Sequence, residues 1–80
     1  MYTDAMMRAF RSVAHFCPKG FTLDVIDETH FITLRAPEVE FMRLNGEDKV
    51  RAVEYMIRAK KALEDNGAIV MLVREGGKDV

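Results

Sequence analysis

Apolar and polar positions change period several times along this chain, and each change marks an element. From Thr3 to Cys17, the residues Met6, Met7, Ala9, Phe10, Val13, Ala14, Phe16 and Cys17 gather on one half of a helical wheel, with Asp4, Arg8, Arg11, Ser12 and His15 on the other. This pattern predicts an amphipathic helix capped by Thr3 or Asp4 and ended by Pro18. Beyond Gly20 the period shortens to two. Phe21–Asp27 and His30–Ala36 read as the strands of a hairpin with Glu28-Thr29 at its tip. With Asp27 facing His30, Val25 pairs with Ile32 and Leu23 with Leu34 on one face. Ile26 then pairs with Phe31 on the other face, among polar neighbours. A slip of one residue would invert every side chain, so the parity is strongly specified. Glu28-Thr29 suits a two-residue type I′ turn poorly, because neither residue favours positive φ; a four-residue loop keeps the parity and fits better.

Pro37 ends the second strand or confines it to an edge. Residues 38–44 set Glu38 and Glu40 against Val39 and Phe41, which reads as a third strand. Asn45 then opens the longest helix. Its side chain can accept from the first unbonded N–H groups, and Glu47 and Asp48 lie at the positive end of the helix dipole. Asn66-Gly67 provides a left-handed stop. Glu54 with Arg58 and Lys61 with Asp65 form i,i+4 pairs. Val50, Val53, Met56, Ile57, Ala59 and Leu63 spread over more of the circumference than one neighbour can cover. The helix is therefore expected to touch both a sheet and a second helix, with Ala52 and Ala59 at the close approaches. Ala68–Val73 reads AIVMLV, apolar on both parities. That predicts a strand inside the sheet, covered on both faces and, because it follows a helix, parallel to an earlier strand.

The order α-β-β-(β)-α-β predicts an α+β two-layer sandwich occupying residues 1–80 as one domain. The expected sheet is mostly antiparallel, with three or four strands, two helices on one face, and residues 75–80 as a flexible tail. The opposite sheet face would then expose Ile26, Phe31 and one parity of Ala68–Val73. Such a patch exceeds what a monomer usually leaves open, and a homodimer contact, the tail or another protein would cover it.

Composition narrows the function classes. The chain is 49% hydrophobic and 31% charged, which suits a small folded core rather than a disordered tail. No apolar run approaches the roughly 20 residues of a membrane span. A single cysteine and no secretion signal point to a reducing, cytoplasmic setting. The net charge of -1 argues against a general nucleic-acid binder. Charge is segregated, however: Phe21–Asp48 holds seven acids and two bases, a net of -5, and the remainder holds ten bases and six acids, a net of +4. An acidic middle of this kind steers association with a basic partner surface.

Catalytic and metal chemistry find little footing. Cys17 has no base at a spacing that would activate it, since His15 two residues away points elsewhere on a helix. His15, His30 and Cys17 lack metal-ligand spacing. Gly76-Gly77 has no helix start after it to hold a phosphate. Neither an enzyme nor a cofactor is expected.

The α-β-β-β-α order resembles the double-stranded-RNA-binding domain. The lysine cluster that family carries at the start of its second helix is replaced here by Gly46-Glu47-Asp48, which argues against RNA binding. In size, charge layout and want of catalytic residues, the whole chain resembles small accessory proteins of phages and mobile elements, anti-CRISPR proteins among them. This resemblance implies a steric inhibitor of a larger nucleic-acid-handling complex. Asp24, Asp27, Glu28, Glu38 and Glu40 would contact lysines or arginines of a protein partner that otherwise hold DNA or RNA, with Ile26 and Phe31 as the desolvated anchor. The alternative is a homodimeric regulator that binds nucleic acid through Arg8, Arg11, Lys60 and Lys61.

Overall fold

The computed structural model describes residues 1–75. Its elements run α1 (Asp4–Ser12), a 3₁₀ turn (Ala14–Phe16), β1 (Asp24–Asp27), β2 (Ile32–Pro37), α2 (Glu38–Arg43), α3 (Gly46–Glu64) and β3 (Val70–Glu75). The fold is α+β, a three-stranded mixed sheet in the order β1-β2-β3 with its helices on one face. β1 and β2 are antiparallel, and β3 lies parallel to β2. The expected tail falls on residues 76–80, outside the described residues, apart from Glu75, which closes β3.

Local chemistry sets the ends of α3 as anticipated. The Asn45 side chain accepts from the Asp48 N–H at 2.8 Å, and Gly67 turns the chain at φ +94°. Glu54 pairs with Arg58 at 2.9 Å and Lys61 with Asp65 at 3.5 Å. Ala52 and Ala59 are completely buried, which lets the helix axis approach the sheet closely. α1 is shorter than the pattern suggested, because the chain tightens into the 3₁₀ turn after Val13.

The hairpin keeps its expected parity but shifts its register by two residues. Val25 faces Leu34 and Asp27 faces Ile32, with the four-residue loop 28–31 between the strands. The Glu28 N–H donates to the Phe31 carbonyl at 2.9 Å and closes that loop. Leu23, Ile32, Leu34 and Ala36 are buried beneath the helices.

Two expectations are corrected. Residues 38–44 do not form a third strand. Pro37 cannot donate to a ladder but fits the start of a helix, and Glu38 and Glu40 favour its first turn. A helical period places Pro37, Phe41 and Leu44 on one side, and Phe41 enters the core against Phe21. β3 is not inside the sheet either. It is an edge strand, and its residues beyond Val70 are exposed.

Tyr55 sits at the junction of α1, α3 and the sheet, with its ring 5% exposed and 6.3–6.4 Å from those of Phe10 and Phe21. Burial, and secondarily the Cys17 thiol, push its phenol up to about 12. The unfolded phenol ionises near 10, so between those values the unfolded state sheds a proton that the folded state keeps. Stability that is intact below pH 10 should therefore fall as pH rises toward 12. Thermal melts across this range should show a shallower decline for Tyr55→Phe; equal slopes would contradict the assignment.

Candidate interaction surface

The alternation of β1 and β2, with β3 in register beside them, defines a face that no helix covers among the described residues. Ile26, Thr33 and Met71 form one row across it, and Asp24, Arg35 and Val73 the next. By the same parity Phe31 and Ile69 extend the face toward the hairpin loop, and Glu75 closes its other end. Ile26, Ile69, Met71 and Val73 are exposed and Phe31 is half-buried. Large apolar side chains on a solvated sheet face in such number are what marks an interaction surface.

Arg35 pins the polar end. Its guanidinium donates to Asp24 at 2.8 Å and to Glu75 at 3.0 Å, tying both edge strands to the central one. Hydrogen bonds to Asp24 and then to Glu75 raise its already high pKa further. Its Nε is buried and meets no partner among the described residues. Beside Phe31, at the hairpin end of the sheet next to the start of α1, a cavity of about 210 Å³ opens, lined by Thr3, Met6, His30, Ile32 and Ile69 among others. Small-molecule sites usually span roughly 300–1,000 Å³, so this cavity fits a single apolar side chain better than a cofactor.

The acidic residues singled out in the sequence do not share this face. Asp24 lies on it, already engaged by Arg35, and Glu28 stands exposed in the hairpin loop. Asp27 has the opposite parity and accepts the Tyr2 backbone N–H at 3.1 Å. Glu38 and Glu40 belong to α2, on the helix side. Glu38 pairs with Arg74 at 3.0 Å, and Arg74 in turn lies over the Phe41 ring. Glu40 accepts from both the N–H and the hydroxyl of Thr22, at 2.8 and 2.7 Å. Because residues 38–43 are helical, these two carboxylates fasten α2 to the sheet ends instead of joining an acidic strip with Asp24. Ile26 faces Thr33, not Phe31 as the expected register had it, and Phe31 lies just before β2 in the hairpin loop.

The four cations of the alternative reading are also separated. Lys60 is bound to Glu64 at 2.6 Å and Lys61 to Asp65 at 3.5 Å. Arg8 and Arg11 are exposed on α1. α1 and the turn after it flank α3 on the side of Tyr55 and Arg58, where Arg58 stacks on Phe16. Lys60 lies about 200° around the helix from Arg58, so these charges form no single basic strip.

Cys17 donates its S–H to the Phe21 carbonyl at 3.1 Å, and burial followed by the Glu40 charge raises its pKa, the opposite of what an attacking thiolate requires. Among the described residues no three His, Cys, Asp or Glu side chains converge on a common point. No described helix is long and apolar enough to cross a membrane.

Sequence reasoning missed one feature. Val50, Val53 and Ile57 of α3, and Val39 and Met42 of α2, are exposed on the helix side. The available signal was the breadth of the apolar arc on α3, which was read as two covered faces. No family model, curated protein or solved structure matches this chain.

Proposed function

We propose that this protein is a non-catalytic binding module that docks on a larger nucleic-acid-handling complex through the open face of its sheet and modulates it sterically. The observation that carries this reading is the row of Ile26, Phe31, Ile69, Met71 and Val73 on a face without a helix over it. Apolar area removed from water contributes roughly 25 cal/mol per Å², so a partner with matching apolar surface gains most by covering this face. Around its apolar centre stand Asp24, Glu28 and Glu75 against Arg35. That net acidic rim suits a partner with a basic rim, as surfaces that hold nucleic acid have. A steric block of the anti-CRISPR kind requires no catalytic group on this chain. The homodimeric nucleic-acid-binding alternative is weaker, because Lys60 and Lys61 are already neutralised by their own helix.

Immobilised on a support, the chain should retain a stoichiometric protein partner from its host's lysate after nuclease treatment. Ile26→Lys should release that partner, while Arg8→Glu combined with Arg11→Glu should leave it bound. A partner lost on nuclease treatment, or held equally well by Ile26→Lys, would overturn the assignment.

A further inference from the structure

Among the described residues, nothing guards the outer edge of β3. Sheet edges are normally blunted by charge, proline, bulges or shortness, because unpaired backbone groups recruit other strands. β1, the other edge, is four residues long with an aspartate at each end. β3 has six residues, and from Ile69 to Val73 no charge or proline interrupts it. The Ile69 carbonyl accepts from the Ile32 N–H at 2.8 Å, so the odd residues direct their backbone groups at β2. Val70 and Leu72 direct theirs outward. No backbone hydrogen bond from another described segment reaches them.

The elements above this edge are apolar too. α3 packs on β3 and meets α1 on its Tyr55 side. Val53 and Ile57, two residues before and after Tyr55, lie about 200° from it in either sense, on the flank turned away from α1. Both are exposed, as is Leu72 on the helix side of β3. The charges on this flank are the pair Lys60–Glu64 and, one turn before Val53, Lys49.

From this edge and flank we infer that β3 pairs antiparallel with β3 of a second copy, about a two-fold axis at Met71, to make one six-stranded sheet from two three-stranded ones. The edge is self-complementary in that register. Val70 faces Leu72 of the second copy and Ile69 faces its Val73, so only apolar residues meet, and Arg74 stays clear of its counterpart. Parity keeps all helices on one side, bringing the Val53–Ile57 flanks of the two α3 helices toward each other. A specific protein–protein interface of standard size buries roughly 800 Å² per partner, about a sixth of the 5105 Å² this chain exposes. A strand edge about 20 Å long beneath a helix about 28 Å long supplies an interface of that order. The contact uses the strand edge and helix flank, so it stands or falls separately from docking on the open face.

Sedimentation equilibrium of the full chain tests it. The wild type should run at twice the 9.2 kDa chain mass at micromolar concentration. Leu72→Lys and Ile57→Lys should each weaken the dimer more than ten-fold with unchanged circular dichroism, while Ile26→Lys stays dimeric. Ile57 is 58% exposed, so its variant keeps the test valid should Leu72→Lys fail to fold. A monomeric wild type would refute the proposal. So would a dimer indifferent to Ile57→Lys, or one dissociated by Ile26→Lys alone.

Discussion

Leu34→Ala will lower the free energy of unfolding by about 2–5 kcal/mol, the range for truncating a fully buried leucine. Leu34 has no exposed surface, lies at the centre of β2, and is flanked by Val25 on β1 and Leu72 on β3 beneath the helices. Removing its isobutyl group leaves a cavity that both sheet neighbours and α3 would have to shift to fill. An 80-residue domain has little reserve, since total stabilities are about 5–15 kcal/mol and small domains fall low in that range. Urea melts should show the midpoint falling sharply. Leu72→Ala is the internal comparison. It shares Leu34's sheet face but is 40% exposed at the edge, and should lose much less. This comparison holds for the monomer, below the concentration at which a second copy covers β3; equal losses at higher concentration are what that pairing predicts.

Phe31→Ala will weaken partner binding by more than about 2 kcal/mol, the threshold for a hot-spot residue, or roughly thirty-fold in Kd. Phe31 is the large aromatic of the hairpin end, and it borders the cavity together with Ile69. A partner side chain entering there would be desolvated against the ring on one side and Ile69 on the other. Because Phe31 is only half-buried in the free chain, the same substitution should disturb folding far less than Leu34→Ala does. Titration of the captured partner against wild type and Phe31→Ala reads the difference. A loss of only a few tenths of a kcal/mol would place the anchor elsewhere on the sheet.

What could be read from the sequence was what short-range chemistry controls. Asn45 and Gly67 bracket α3 because a side-chain cap and a positive-φ glycine act within one turn of the chain. Parity along β1 and β2 was legible because one face must be buried, and it put Val25 and Leu34 on the helix face and Ile26 on the other. The register was not, because it depends on the loop, and a four-residue loop moves the pairing by two without altering either face. Residues 38–43 are too few to distinguish two periods. Glu38, Val39, Glu40 and Phe41 alternate as a strand would, and only Phe41 reaching the core against Phe21 shows the helical solution. Grouping acids by charge along the chain put Glu38 and Glu40 with Asp24, although in the fold they bind Arg74 and Thr22.

The apolar run before Arg74 posed a different difficulty. A strand covered on both faces and an edge strand awaiting a partner have the same composition. Local sequence cannot separate them, because the difference lies in whether another strand stands beside β3. The exposed stripe of α3 has the same origin. Val53 and Ile57 read as core positions, and they lie on the flank above that open edge.

The most direct test of the open sheet face as a docking surface uses isoleucine methyl groups as paired reporters. Ile26 lies on the open face and Ile57 on the helix side, and both are exposed in the free chain. Methyl NMR spectra of isoleucine-labelled protein, recorded before and after adding the captured partner, should show the Ile26 and Ile69 signals shift or broaden while Ile57 stays in place. Movement of Ile57 with Ile26 unchanged would place the partner on the helices and contradict the account.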